Sequence, residues 1–270
     1  MRFSTRWWTF SMHARGALRL ALAASLIAPG AVSGQSATPD YAWIGAGVRS
    51  RPAYDGSASQ HLELIPSVRY YGKPWFARTT QGLLEGGARI ELAPGLNLGA
   101  QLAYEGGRAM SESGFLRDHT VPDISPGASL GLHLEWDRHL GPMPVTLLAR
   151  GRHNVDRDRG AQADLRFSAI FFGNDRATIA AFLQGTWASQ KSTQTFYGID
   201  PAQTTGLPAF SAGSGPLFFG GGLLGGVDLS GPWTLLWSLE ARRLRGDAAR
   251  SPLAERASGV YASASVAYRF

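Results

Sequence analysis

The sequence predicts an all-β fold: one antiparallel transmembrane β-barrel of about twelve strands, or ten if its weakest segments merge. Three observations predict it. Residues 258–270, SGVYASASVAYRF, split at a period of two into an apolar face (Val260, Ala262, Ala264, Val266, Tyr268, Phe270) and a small or polar face (Gly259, Tyr261, Ser263, Ser265, Ala267, Arg269). The same alternation recurs from Tyr41 onward, with turn residues between segments. The connections also alternate between long polar loops and tight turns, as expected of a barrel with long extracellular loops and short periplasmic turns. The closing segment alone suits a soluble antiparallel sheet equally well. Recurrence and loop asymmetry separate the two.

Composition agrees. Thirty-four Gly, 11% aromatic and 17% charged residues favour strands and tight turns. There is no apolar run of about 18 residues, so no membrane-spanning helix is expected, while a barrel spreads its lipid face over alternate positions. The absence of cysteine excludes disulfides and thiolate metal sites. Residues 1–19 hold four arginines and no acid, followed by the apolar run LALAASLIA and small residues before Gln35. This layout predicts a signal peptide over residues 1–34, cleaved after Gly34, and a single barrel domain over 35–270. The mature chain then has 22 basic against 20 acidic residues, which removes the case for nucleic-acid binding.

The strands follow in order. In 41–49, Ala42, Ile44, Ala46 and Val48 oppose Trp43, Gly45, Gly47 and Arg49. Then Leu62, Leu64, Val68 and Tyr70 oppose His61, Glu63, Ser67 and Arg69, with Pro66 predicting a bulge or kink. A strand begins at Trp75-Phe76, and the hairpin at 79–82 is the one short connection on the long-loop side. Leu84, Ala88, Ile90 and Leu92 face away from Glu85, Arg89 and Glu91; Leu98, Ala100, Leu102 and Tyr104 away from Asn97, Gln101 and Glu105. Leu130, Leu132, Leu134 and Trp136 oppose Ser129, His133 and Glu135, and Val145, Leu147 and Ala149 oppose Arg150 and Arg152. Leu165, Phe167 and Ala169 oppose Asp164, Arg166 and Ser168, and 177–187 returns. Leu217, Phe219, Leu223 and Val227 are expected outside, as are Leu235, Trp237 and Leu239 opposite Glu240 and Arg242. Long connections are expected at 50–60, 106–122, 155–160, 189–215 and 245–256, short ones at 72–74, 93–95, 137–142, 173–176 and 230–232. Trp136, Tyr104, Trp187, Trp233, Tyr268 and Phe270 near strand ends fit interfacial girdles.

The loops carry a family resemblance. Arg51-Pro52-Ala53-Tyr54-Asp55-Gly56-Ser57 resembles the P-x-Y-x-G-S loop of the MipA/OmpV family. Tyr104-Glu105-Gly106-Gly107-Arg108 is similar to its Y-x-x-G-R motif. Phe196-Tyr197-Gly198-Ile199-Asp200 with Gly206-Leu207-Pro208-Ala209-Phe210 resembles its Y-F-G-I and S-G-L-P-x-Y segment, with Thr205 and Phe210 as departures. Residues 244–252, LRGDAARSP, resemble L-x-G-D-A-A-x-S-P, through Asp247, Ser251 and Pro252. The resemblance implies an outer-membrane barrel without catalytic residues or cofactors, a scaffold linking a murein-degrading lytic transglycosylase to a peptidoglycan synthase. Other members of the family are outer-membrane antigens or adhesins. Val266, Tyr268 and Phe270 resemble the carboxyl-terminal signal presented to the barrel-assembly machinery.

The chemistry in the residues is sparse. Ser129, His133 and Glu135 share one face, yet four residues of strand span about 13 Å, too far for a catalytic serine and histidine to touch. His153 with Asp156 or Asp158, and His119 with Asp118, sit at loop edges, and the histidines show no metal-ligand spacing. The inward charges Arg49, Arg69, Arg89, Arg150, Arg152, Arg166 and Arg242, with Glu63, Glu85, Glu91, Glu105, Glu135, Asp164 and Glu240, admit two readings. One is a small-solute channel with charged rings; the other is a salt-bridged ladder that closes the lumen, which the balance of signs favours.

Overall fold

A computed structural model, described here for residues 41–80 and 82–270, shows twelve strands closed into one antiparallel barrel. The strands are β1 (Tyr41–Pro52), β2 (Gln60–Tyr71), β3 (Trp75–Thr80), β4 (Leu83–Ala93), β5 (Leu96–Glu105) and β6 (Gly127–Leu140). They continue as β7 (Met143–Asn154), β8 (Ala161–Gly173), β9 (Ala177–Ala188), β10 (Gly215–Asp228), β11 (Trp233–Leu244) and β12 (Ser258–Arg269). Each pairs with its chain neighbour, and β12 returns to β1 in a register running from Trp43↔Arg269 to Ser50↔Ala262. The predicted signal peptide over residues 1–34 lies outside the described residues.

The period-two pattern becomes two surfaces. On β6, Leu132 is 61% exposed and its neighbour His133 only 2%. A lipid-facing wall of leucines with a polar lumen is what closure in a bilayer requires, because every backbone group must pair within the wall. At the short-turn rim, the Trp233 and Tyr268 rings meet edge-on at 5.2 Å and Tyr268 lies 6.5 Å from Phe270. At the opposite rim, Trp187 meets Phe219 at 6.0 Å. The two aromatic bands mark the interfaces, and the short turns mark the periplasmic rim.

Three expectations need correction. Pro66 causes no bulge, since β1 and β2 stay in register through Ala46↔Pro66. The N–H of Val68 points toward β3, where it meets Thr79 Oγ1 at 3.2 Å. Two residues earlier, the nitrogen of Pro66 faces the same side, beyond the reach of the β2–β3 ladder, which is confined to Arg69, Tyr70 and Tyr71. Leu217 is buried rather than outside, because a register shift between Pro216 and Phe218 turns it beneath the loops. Glu91 is exposed at the periplasmic turn, where its carboxylate accepts from the Gly95 N–H at 3.1 Å. The strands also run further than their alternation suggested: β6 and β7 leave only residues 141–142 between them.

Candidate functional site

Two linked features fill the barrel: a belt of buried ion pairs across the lumen and a folded cap of loops over its extracellular mouth. Glu85 on β4 is the hub of the belt. It accepts hydrogen bonds from Arg78 on β3 at 2.5 Å, Gln101 on β5 at 2.8 Å and Arg150 on β7 at 2.9 Å. Arg78 also donates to Glu135 at 2.9 Å and to the Tyr71 hydroxyl at 3.0 Å. Arg150 continues to Asp164 on β8 at 3.0 Å, and Arg152 joins Asp164 to Glu105. Alternation turns one or two such side chains inward on each strand from β3 to β8, and the antiparallel register brings them level. A buried carboxylate with one partner is costly, but one held by two guanidinium groups and an amide has its lone pairs satisfied.

Elsewhere in the lumen, Arg242 pairs with Glu240 at 2.6 Å and reaches Asp55 of the first loop at 3.6 Å. Arg166 lies over the Phe182 ring at 3.9 Å. Above the belt is a cavity of about 930 Å³ walled by Arg49, Glu63, Glu105, Arg152 and the undersides of the loops.

The cap is built from the motif loops. Tyr54 donates to the Leu253 carbonyl at 2.9 Å and to Glu255 at 3.2 Å, and Ser57 donates to the same carboxylate. The first loop is thereby tied to the last across the β1–β12 seam. Gly56 has φ +106°, a left-handed conformation suited to glycine, and its carbonyl receives the Arg256 N–H at 2.9 Å. At Gly107 a Cβ would stand 1.8 Å from the Ile124 carbonyl oxygen, so the motif glycine allows the Arg108↔Ile124 bridge. Arg108 spans the second and fourth long connections, donating to the Phe196 carbonyl at 2.7 Å and the Pro122 carbonyl at 3.3 Å.

Beside the short helix Gly114–Asp118, which carries Leu116, two helices complete the cap: α1 (Gln190–Tyr197), whose Ser189 side chain accepts from the Ser192 N–H, and α2 (Gly246–Arg250). Gly198 ends α1 and donates its N–H to the Gln194 carbonyl. Ser251 follows α2, donates to the Tyr197 carbonyl at 2.6 Å and accepts from the Leu253 N–H, with half-buried Pro252 in the same turn. Ala53, Tyr54, Leu116, Val121, Ile199 and Leu253 form a dry core between these loops. Burial, followed by the Glu255 charge, raises the Tyr54 phenol above its ordinary range, and burial raises Tyr197 and lowers Arg108. The Gly213 N–H, with Arg250 beside it, holds the Asp247 carboxyl below its usual value.

The motif residues Tyr54, Gly56, Ser57, Gly107, Arg108, Tyr197, Gly198, Asp247, Ser251 and Pro252 are therefore one assembly. Val266, Tyr268 and Phe270 lie apart from it, on the outer face at the periplasmic rim. The hydrolase candidates do not converge. His133 Nδ1 bonds Gln101 Oε1 at 2.6 Å, Glu135 is held by Arg78, and Ser129 Oγ is buried without a partner. His119 and His153 bond the carbonyls of Thr205 and Asn154 rather than neighbouring carboxylates. Among the described residues, no group of three His, Asp or Glu is placed to hold a metal ion. Alternation did not expose Arg78, the second member of the belt, since β3 has six residues and too few turns of the pattern. Leu116 and Val121 left a trace, apolar residues inside an otherwise polar loop.

No curated protein matches this chain. Solved structures of similar shape include an outer membrane channel from Pseudomonas putida F1 (10% identity, TM-score 0.47, covering 89% of this chain and 100% of that one). The translocator domain of the autotransporter NalP from Neisseria meningitidis is another (12% identity, TM-score 0.42, 95% of each chain). A third is LpxR from Salmonella typhimurium (9% identity, TM-score 0.43, 84% of this chain and 99% of that one). Similarity at this level does not extend to function. The family model described as MltA-interacting protein MipA matches residues 44–270, nearly the whole barrel and every motif loop. The chain is thus an outer-membrane β-barrel that belongs to the MltA-interacting protein MipA family.

Proposed function

We propose that this barrel is a non-enzymatic, non-conducting platform. On this reading it is exported by its signal peptide and assembled through its carboxyl-terminal strand. Its periplasmic rim then holds a lytic transglycosylase of the kind in the family's name, together with a peptidoglycan synthase. The observation that supports it is the lumen: the Arg78–Glu85–Arg150–Asp164 belt joins β3, β4, β7 and β8 through buried ion pairs, under a mouth covered by packed loops. A pore would hold its charges apart in water, whereas these neutralise one another across the lumen. The rim offers its contacts at Lys73 and Arg176 in the turns and at Arg138 near the end of β6.

The test has two arms. Purified barrel in planar bilayers is expected to give no steady single-channel current, and cross-linked cells are expected to yield murein enzymes with the barrel. Absence of every such enzyme would sink the platform. Steady open-pore currents would instead support a small-solute channel, the reading that the charged cavity of about 930 Å³ favours.

A further inference from the structure

The barrel wall is incomplete on one side. β3 stops at Thr80 and β4 starts at Leu83, so their hairpin ends well below the top of β2, which continues to Gln60. Only Arg69, Tyr70 and Tyr71 of β2 pair with β3. Among the described residues, the stretch from Gln60 to Pro66 has no ladder partner on that side. At about 3.3 Å per residue this is an edge roughly 20 Å long. Since Val68 and Tyr70 direct their polar backbone atoms toward β3, the same parity points those of Leu62 and Leu64 into the gap. Across it, Tyr104 and Glu105 pair with Ala128 and Gly127 of β6, above the last β4–β5 pair at Glu85↔Ala103.

The gap is framed on every side. The hairpin tip at Gly82 forms the sill, with Arg49 lying against it. Arg51 and Glu112, 3.4 Å apart, form the lintel. Leu64, 84% exposed and the most exposed large hydrophobic residue described, stands on one jamb, and the girdle residue Tyr104 on the other. The cavity of about 930 Å³ is walled by the outward-facing Leu64, Leu84 and Tyr104 as well as by lumen charges, so it passes through the wall at this point.

We propose that this window is a lateral port, and that an amphiphile from the surrounding leaflet binds in it. Its headgroup lies in the lumen cavity, and its acyl chain stays outside across Leu64, Leu84 and Tyr104. Three features define the ligand. Unpaired backbone N–H and C=O groups at membrane depth need polar partners, which hydrocarbon cannot give. The cavity walls carry six arginines and six carboxylates, many already paired with one another, so a compact headgroup of no net charge fits better than a polyanion. The apolar lip faces lipid, so the rest of the molecule is hydrocarbon. The port is a property of the wall and does not depend on the platform reading.

The test uses the full barrel with phosphatidylethanolamine as the probe. The chain has no cysteine, so single labels can be placed freely. A fluorophore on Thr80→Cys, which faces the lumen at the sill, is expected to be quenched by doxyl-chain phosphatidylethanolamine. The same label on Gln162→Cys, on the far wall of the same cavity, is expected to stay bright. Native mass spectrometry is expected to show one retained lipid. Retention should fall at least tenfold when the hairpin is lengthened by about seven residues on each strand, enough to pair Gln60 to Pro66 and complete the wall, and also in Leu64→Glu, whose folding is checked by gel mobility without boiling. Equal quenching at both positions, or equal retention in Leu64→Glu, would overturn the port. Displacement of the lipid by glycerophosphoethanolamine at similar concentration would also overturn it, assigning the cavity to a solute that enters from the mouth.

Discussion

Glu85→Ala tests whether the ion-pair belt holds the barrel together. The carboxylate is fully buried and accepts from Arg78, Gln101 and Arg150 at 2.5, 2.8 and 2.9 Å. Three bonds to or from charged groups, at about 1.5–3 kcal/mol each, amount to roughly 5–9 kcal/mol gross. Against this stands the desolvation of the carboxylate itself, several kcal/mol that the alanine variant no longer incurs. Arg78 keeps Glu135 and Tyr71, and Arg150 keeps Asp164, so neither cation is stranded. The net loss expected is about 3 kcal/mol, the lower end for a broken buried pair and roughly a 150-fold fall in the folded-to-unfolded ratio. Urea unfolding in lipid vesicles, read by tryptophan emission and by gel mobility without boiling, measures it. Glu85→Gln keeps the shape and one acceptor and should lose about 1–2 kcal/mol. As a control, Asp158→Asn removes the exposed pair with Lys191 and should change stability by less than about 0.5 kcal/mol. A Glu85→Ala barrel within about 1 kcal/mol of the parent would refute the view that the belt braces the lumen.

Other predictions concern the cap and the chain end. Tyr54→Phe removes the bonds to Leu253 and Glu255 and should loosen the first loop by about 1 kcal/mol, seen as faster proteolysis there. The Tyr54 phenol is raised in the folded protein, so its contribution is complete below the unfolded value near 10 and is lost as pH climbs through the higher folded value. Proteolysis of the parent should therefore accelerate above about pH 10 and that of Tyr54→Phe less so. Ser251→Ala strands the buried Tyr197 carbonyl and should cost about 1–3 kcal/mol of cap stability, measured by hydrogen exchange. Deleting Phe270, or Phe270→Asp, should lower outer-membrane levels before any binding is affected, and normal levels would show that the last aromatic is dispensable for assembly.

Much of the fold was legible because a barrel writes its two faces onto alternate residues. Leu130, Leu132 and Leu134 announce lipid, and Ser129, His133 and Glu135 the lumen, without knowledge of any neighbour. What alternation cannot carry is which inward residues meet. Glu85 finds Arg150 across 65 positions of sequence only through the registers of the strands between them. Arg78 escaped because β3 is short, and Leu217 because a bulge reverses parity at a single step. The motif loops were legible through family resemblance alone; their joint packing depends on contacts such as Tyr54 with Leu253, which no local pattern encodes.

The seam between β1 and β12 also dictates an order of events. Gly45 and Gly47 lie so close to the last strand that a Cβ on either would stand about 2 Å from a β12 carbonyl oxygen. These contacts join the two ends of the chain, as in Trp43↔Arg269. Closing a loop of that span costs on the order of 3 kcal/mol more than closing a ten-residue hairpin, so neighbouring hairpins form first and the seam last. Until Arg269 is in place, β1 has no partner on that side, and the leucine-rich outer positions lack a closed wall. A nonsense codon anywhere before the final strand therefore forfeits the entire wall rather than one element of it.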